Sequence, residues 1–262
     1  KVLGEFPEID EFSVIPLGWV LRAQERWERW QESGGAIPKG SAHIIGADIA
    51  RFGLDKTAFA HRYGDIITEV ELMPKLDTVN TAKRLMEKLR PQELAVIDVN
   101  GVGAGVYDHL RHSGYYTLPF NAGTRTTMTD ASGQIEFYNH RSAAMWRLRE
   151  ALDPARGSTL MLPPQQPGEK ENFIAADLSS ARWKNIAGGK IVIEDKAEIK
   201  KRIGRSPDRG DAIMMAFWAN REGIFEDTAE ASFDWRDVSD SDNDDDVAVE
   251  WSEPDMSDWE MV

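Results

Sequence analysis

The chain has 262 residues, a formal charge of −14 and no cysteine. That length carries one sizeable core with room for appendages. The missing cysteine excludes disulfides, thiolate metal sites and a cysteine nucleophile, and is compatible with a reducing compartment. No run approaches the ~18 apolar residues of a membrane span and no signal-peptide pattern opens the chain, so a soluble intracellular protein with no membrane partner is expected. The first residue is Lys1 rather than Met, which points to a fragment of something longer.

The charge is unevenly spread. Residues 226–262 hold fifteen acidic side chains against Arg236 alone, which leaves thirty of each sign in residues 1–225. The body is neutral, and a low pI therefore raises no electrostatic objection to a nucleic-acid partner. The acidic stretch lacks periodicity and is expected to be a disordered tail. It either solubilises, binds a basic partner, or competes with DNA for a binding surface.

Residues 1–15 read as a linker or an isolated strand. From Pro16, the residues Trp19, Val20, Ala23, Trp27 and Trp30 fall on one helical face, and Gly34-Gly35 ends the pattern. This tryptophan stripe is read as a packing face rather than a nucleic-acid stacking platform, with a domain outside this chain as one candidate cover. The spacing then predicts a strand over 43–50 and a hairpin of 57–63 and 65–72 about Gly64. A helix over 78–89 follows, and then a short apolar strand, 94–99, of the kind buried in parallel sheets. The glycines at 101, 103 and 105 lead into a helix over 106–111, and a strand is expected at 115–120. A polar loop, 121–133, is the expected mobile segment of the body. A helix over 138–152, a hairpin within 181–194 turning at Gly188-Gly189, and a closing helix from Ser206 complete the reading. Ser206 suits the N-cap and Pro207 the first helical position.

Three antiparallel-type strands, then helix, strand, helix, strand, helix and a closing helix is the order of the ribonuclease H-like fold. The expected class is α/β, a mixed sheet flanked by helices with an auxiliary β-hairpin. The expected division is a linker and Trp-faced helix (1–40), the ribonuclease H-like domain (41–225) and the tail (226–262).

Three acids stand apart in that order. Asp48 sits in the apolar first strand, where an ionised carboxylate costs several kcal/mol unless compensated. Asp98 ends the fourth strand, and Asp211 lies in the closing helix. In a ribonuclease H-like order the first and fourth strands are central neighbours with the closing helix beside them. Convergent carboxylates repel and call for a hard divalent cation, Mg2+ or Mn2+. Two such ions suit phosphodiester hydrolysis. Each acid also has an ordinary reading: Asp48 and Asp98 as turn residues, Asp211 as a helix-dipole partner. Asp208, three residues before Asp211, is an auxiliary ligand or another dipole partner.

From Arg182 to Arg209 there are nine Lys or Arg against four acids. Lys184, Lys190, Lys200, Arg202, Arg205 and Arg209 are candidates for phosphate contacts, with a solvated surface as the alternative. Arg51 either reaches a phosphate or only closes the first hairpin. His109 and His112 lie three apart on a helix without further zinc ligands in view, and are read as structural. Gly101-Val-Gly-Ala-Gly105 is read as a close-approach turn beside Asp98 rather than a dinucleotide loop.

The stretches Ile45-Gly-Ala-Asp-Ile-Ala-Arg-Phe-Gly-Leu-Asp-Lys-Thr57, Val96-Ile-Asp-Val-Asn-Gly-Val-Gly-Ala-Gly-Val-Tyr-Asp108 and Arg205-Ser-Pro-Asp-Arg-Gly-Asp-Ala212 together resemble the nuclease half of a tailed-phage terminase large subunit. The opening Val2-Leu-Gly-Glu-Phe-Pro7 and Ile15-Pro-Leu-Gly-Trp-Val20 resemble the segment that follows the motor domain in that family, so the resemblance spans residues 2–222. It implies a metal-dependent endonuclease that cuts concatemeric double-stranded viral DNA during genome packaging in the host cytoplasm. It further implies that Asp48 bridges two ions which Asp98 and Asp211 complete. Its implied partners are double-stranded DNA, the portal protein, the small terminase subunit and the family's N-terminal ATPase domain, which is missing here. No G-x-x-x-x-G-K-[ST] loop occurs in the sequence, so this chain is expected to cut without translocating. Two other classes remain open: an actin-like or sugar-kinase ATPase of the same fold, and a non-catalytic docking module.

Overall fold

A computed structural model describes residues 12–50, 56–73, 76–90, 92–186, 188–220 and 223–224. Arg51 and the tail at 226–262 lie outside the described residues, as does the start of the chain up to residue 11.

The chain begins with helix α1 (Leu17–Glu32) and enters the sheet through β1 (His43–Asp48), β2 (Thr57–Tyr63) and β3 (Ile66–Met73). Helix α2 (Thr78–Met86) leads to β4 (Leu94–Asp98), α3 (Gly103–His112) and β5 (Tyr116–Phe120). The five strands order as β3-β2-β1-β4-β5. β1 pairs antiparallel with β2 and parallel with β4, and β4 pairs parallel with β5. β1 is thus the central strand, buried at every position from His43 to Asp48. Its unbroken apolar run before the acid is what a strand covered on both faces requires.

The remainder is α4 (His140–Leu152), α5 (Phe173–Ser180), the hairpin β6 (Trp183–Asn185) and β7 (Ile191–Ile193), α6 (Lys196–Ile203), α7 (Asp208–Ala216), and a short pair, β8 (Ala219–Asn220) and β9 (Gly223–Ile224). Side chains alternate across β1. Ile45 and Ala47 join Phe59, Leu85, Val106 and Leu110 on the α2–α3 face, whereas Ile44 joins Ala212, Met215 and Ala216 on the α7 face. Gly46 makes the second contact possible. A Cβ there would lie 2.0 Å from the Ala212 carbonyl oxygen and 2.4 Å from the Ala216 nitrogen. Any side chain at Gly46 would therefore push α7 off the central strand. The expected mixed α/β sheet, its central first and fourth strands and its auxiliary hairpin are all present.

Two expectations need correction. Helices α5 and α6 were absent from the sequence reading, although Asn172 accepts from the Ala175 nitrogen and Asp195 from the Glu198 nitrogen, as N-caps do. Asp195-Lys-Ala-Glu198 has the acceptor-x-x-Glu spacing of a capping box, a signal available in the sequence. Ser206 does not cap α7. Pro207 occupies the cap position without a side-chain bond, and the Ser206 hydroxyl is buried without a partner. The cap comes from α5, where Asp177 Oδ2 accepts from the backbone nitrogens of Arg209 and Gly210 at 3.1 and 3.2 Å.

The tryptophan face of α1 turns inward: Trp27 Nε1 donates to the Ile67 carbonyl and Trp19 packs on the main core. The 121–133 loop is tied at both ends, with His140 N donating to the Thr124 carbonyl and Asp130 accepting from Gln134 and Ile135. No helix among the described residues is long and apolar enough to cross a membrane.

Candidate metal centre

The parallel β1–β4 pair aligns Ala47 with Ile97, so Asp48 and Asp98 follow side by side at the carboxyl ends of adjacent strands. That is where open α/β sheets place their ligands. Beyond Asp98 the chain turns tightly, and its Oδ1 accepts from the Asn100 nitrogen at 2.9 Å. Gly103 is needed in that turn, because a Cβ there would sit 1.6 Å from the Asp98 carbonyl oxygen. This is the close-approach turn expected from the glycine spacing. Asp48 shares the face of Gly46, two residues earlier, and so meets the first turn of α7, which carries Asp208 and Asp211.

Lys196, the first residue of α6, reaches into this group. Its Nζ lies 2.7 Å from Asp48 Oδ2, 3.2 Å from Asp208 Oδ1 and 3.2 Å from Asp211 Oδ2. Arg141 of α4 approaches from the other side, Nη1 donating to Asp211 Oδ1 at 3.0 Å. Asp208 Oδ2 also accepts from the Lys56 nitrogen at 2.9 Å.

The protonation of the group follows from this arrangement. Burial pushes Asp48 up to about 7; the charges of Asp211 and Asp98 add to the rise and Lys196 opposes it. Asp98 is also raised, first by burial and then by Asp211. Burial works to raise Asp211 as well, but Arg141 and Lys196 outweigh it and hold this carboxyl below the usual range. Burial alone would lower Lys196; its three carboxylate neighbours outweigh that and raise it. Lys196 is therefore a fixed positive charge among the acids.

The chemistry of the donor set, rather than its spacing about the lysine, suits a hard divalent cation. Every donor is a carboxylate oxygen, Asp208 Oδ1 is buried with only the Lys196 ammonium beside it, and the burial and neighbouring charges that lift Asp48 favour an added positive charge. The lysine ammonium already stands in for part of that positive charge.

The structure thus places Asp48, Asp98 and Asp211 together, with Asp208 beside them. It places most of the expected basic residues elsewhere. Arg202 pairs with Glu194, Arg205 with Asp177 and Glu171, Arg209 with Glu169, and Lys190 with Glu136. Lys184 lies on β6 and Lys200 within α6, each with an interaction of its own. Arg141 and Lys196 were missed as site residues. Lys196 was visible only as one cation in a basic run. Arg141 had a weak signal, a charge next to the apolar face of α4.

A five-stranded mixed sheet in this order, with helices on both faces and acids at the ends of its two central parallel strands, is the ribonuclease H-like fold. Among solved structures, the nuclease domain of the large terminase subunit gp2 of bacterial virus Sf6 superposes with a TM-score of 0.63 at 21% identity, over 79% of this chain and 99% of that one. A mutant of that domain solved with manganese and β-thujaplicinol matches at 0.63 and 20% identity, over the same shares of the two chains. Another, with calcium, matches at 0.63 and 20% over 79% of this chain and 100% of that one. No protein-family model and no curated protein matches the sequence.

Proposed function

We propose that this chain is the nuclease domain of a phage large terminase subunit and that it hydrolyses double-stranded DNA with divalent cations. The observation that carries the reading is the convergence of Asp48, Asp208 and Asp211 on the Lys196 ammonium, with Asp98 beside Asp48 at the carboxyl ends of the central strands. The fold it shares with the Sf6 domain supports the same reading.

In this proposal Asp48, Asp98 and Asp211 hold two ions, Mg2+ or Mn2+, with Asp208 as an auxiliary ligand. Such ions, when bound, lower the pKa of an attacking water and stabilise the charge that develops on a phosphodiester. Arg141 orients Asp211 and keeps it ionised. Lys196 offsets the carboxylate charge and presents an ammonium beside the place a phosphate would take. Lys184 and Lys200 supply phosphate contacts on the flanking hairpin and α6, with Arg51 a further candidate and Lys190 one that would have to leave Glu136. Arg202, Arg205 and Arg209 already face carboxylates, so their share in DNA binding requires those pairs to open. Concatemeric viral DNA as the substrate, the portal, small subunit and ATPase domain as partners, and the host cytoplasm as the setting all belong to this proposal.

The test is incubation of plasmid DNA with the chain and Mn2+, Mg2+ or EDTA. Metal-dependent nicking or linearisation that Asp48→Asn and Asp211→Asn each abolish is the expected result. ATP turnover without cutting would favour the kinase-like alternative. That class needs a duplicated fold, whereas among the described residues the five-stranded sheet occurs once. Neither activity would leave a docking module.

A further inference from the structure

On the opposite face of the sheet a second group of ligand-type side chains meets. His61 of β2 lies directly across from Glu69 of β3, and Glu71 follows two residues along on the same face, beside the irregularity at His61/Arg62. One ligand atom from each of the three lies within 4.8 Å of the other two. This face is covered by α2 and α3, not by α7, so the group is separate from the Asp48 cluster.

The hydrogen bonds around His61 leave it with an unmet need. Glu93 Oε2 lies 2.9 Å from His43 Nδ1. A carboxylate can only accept, so a proton sits on His43 Nδ1, and in the singly protonated form of that ring the lone pair is on Nε2. That nitrogen is 3.1 Å from His61 Nδ1, which donates to it in that tautomer. The remaining His61 nitrogen, Nε2, then carries a lone pair. It faces Glu71 Oε1 at 3.1 Å, acceptor against acceptor. His61 Nε2 is buried without a hydrogen bond, and His61 is only 4% exposed. A second proton on His61 would add a charge in a buried position. Lys88 Nζ, 2.6 Å from the same Glu71 oxygen, answers the carboxylate but not the imidazole.

We propose that His61, Glu69 and Glu71 form a second divalent-cation site, of the zinc class, that ties β2 to β3 away from the acid cluster. One imidazole nitrogen and two carboxylate oxygens are three protein ligands, and water would complete a tetrahedron. Ligands on arms of about 2.0–2.1 Å stand ~3.4 Å apart in that geometry, a contraction within reach of small rotations of Glu69 and Glu71. The Glu93–His43–His61 relay is the outer support that metal-bound imidazoles use, a hydrogen bond fixing the ring and its tautomer. Lys88 is the group the ion displaces.

The experiment titrates Zn2+ by calorimetry, and Co2+ by its visible absorption, into the full chain carrying Asp48→Asn and Asp211→Asn, which removes the other cluster from the count. The proposal expects one ion per chain to remain. Adding Glu69→Gln, at an exposed position where folding is not at stake, should lower the affinity at least tenfold. Glu93→Gln should cost about 10–100-fold, as the loss of an outer partner does. Lys88→Met should raise the affinity by removing the competing ammonium. Absence of a bound ion in the doubly substituted chain, or an affinity indifferent to Glu69→Gln, would overturn the proposal. Neither outcome depends on whether the chain cuts DNA.

Discussion

Lys196 Nζ sits 2.7 Å from Asp48 Oδ2 although 148 residues separate the two in the chain. The ammonium is the only positive charge that touches Asp48, Asp208 and Asp211 at once among the described residues. It keeps a set of buried carboxylates together.

Removing this ammonium should therefore cost more stability without metal than with it. In EDTA, Lys196→Ala leaves buried acids unpaired and lowers stability. Breaking a buried pair costs about 3–5 kcal/mol, and partial solvent access at Lys196, whose side chain is 34% exposed, brings the expectation down to roughly 1–3 kcal/mol. With Mn2+ present the loss should be largely recovered, because the ion replaces the missing charge. Thermal unfolding in EDTA and in Mn2+ measures both. An equal loss in the two buffers would argue against a cation among these acids.

The acid cluster also predicts a pH dependence. Asp48 is raised to about 7 in the folded chain from an ordinary 3.8, so between those values the folded state holds a proton the unfolded state has lost. Its contribution to stability is complete below pH 4 and is lost as pH rises through about 7. Asp211, held low, contributes in the opposite sense: stability present above its unfolded value is lost as pH falls through the folded one. Because a carboxyl must shed its proton to ligate, Mn2+ affinity should climb between pH 6 and 8. Calorimetric titrations across that range should show the climb in the wild type, and Asp48→Asn should flatten it.

Two substitutions far from the acids in sequence should disturb them through α7. Gly46→Ala places a methyl group against backbone atoms of α7, so the helix must shift. A cost of about 1–3 kcal/mol is expected, together with loss of metal binding as Asp211 moves from Asp48. Asp177→Ala removes the cap of α7 and leaves Arg205 without its buried partner, for about 1–3 kcal/mol. Denaturant unfolding gives the stabilities, and Mn2+ titration of the same samples gives the coupling to the site.

DNA binding should be sequence-tolerant and steeply salt-dependent, each of Lys184→Ala and Lys200→Ala reducing the salt slope by about one. Deleting residues 226–262 removes a charge of −14 and should raise DNA affinity or cutting at low salt, with the gain vanishing as salt is added. Filter binding across a salt series measures both effects. Equal affinity with and without the tail would leave it a solubilising extension.

Much of the fold was legible before the structure. The central strand announced itself as an apolar run ending in Asp48, the parallel β4 did the same before Asp98, and hairpins and helices followed from Gly64, Gly188-Gly189 and apolar spacing. Helices α5 and α6 escaped because each is eight residues long, too short for periodicity to stand out, and only their caps marked them. Ser206 misled for a related reason. A serine before Pro-Asp has the local form of a cap, while the acceptor that α7 uses is Asp177, supplied from another helix.

By itself, the sequence determined the order of the five sheet strands and of the longer helices and singled out three acids, because these are written in short-range patterns: apolar alternation, turn residues, and a charge where a charge does not belong. Only the tertiary structure decided what compensates those acids. Lys196 to Asp48, Arg141 to Asp211 and Asp177 to the start of α7 span 148, 70 and 33 residues. A long cationic side chain has the same local pattern whether it ends in water or against a buried carboxylate. The close approach that α7 makes to Gly46 brings Asp211 beside Asp48, and Lys196 and Arg141 reach the acids there from other helices.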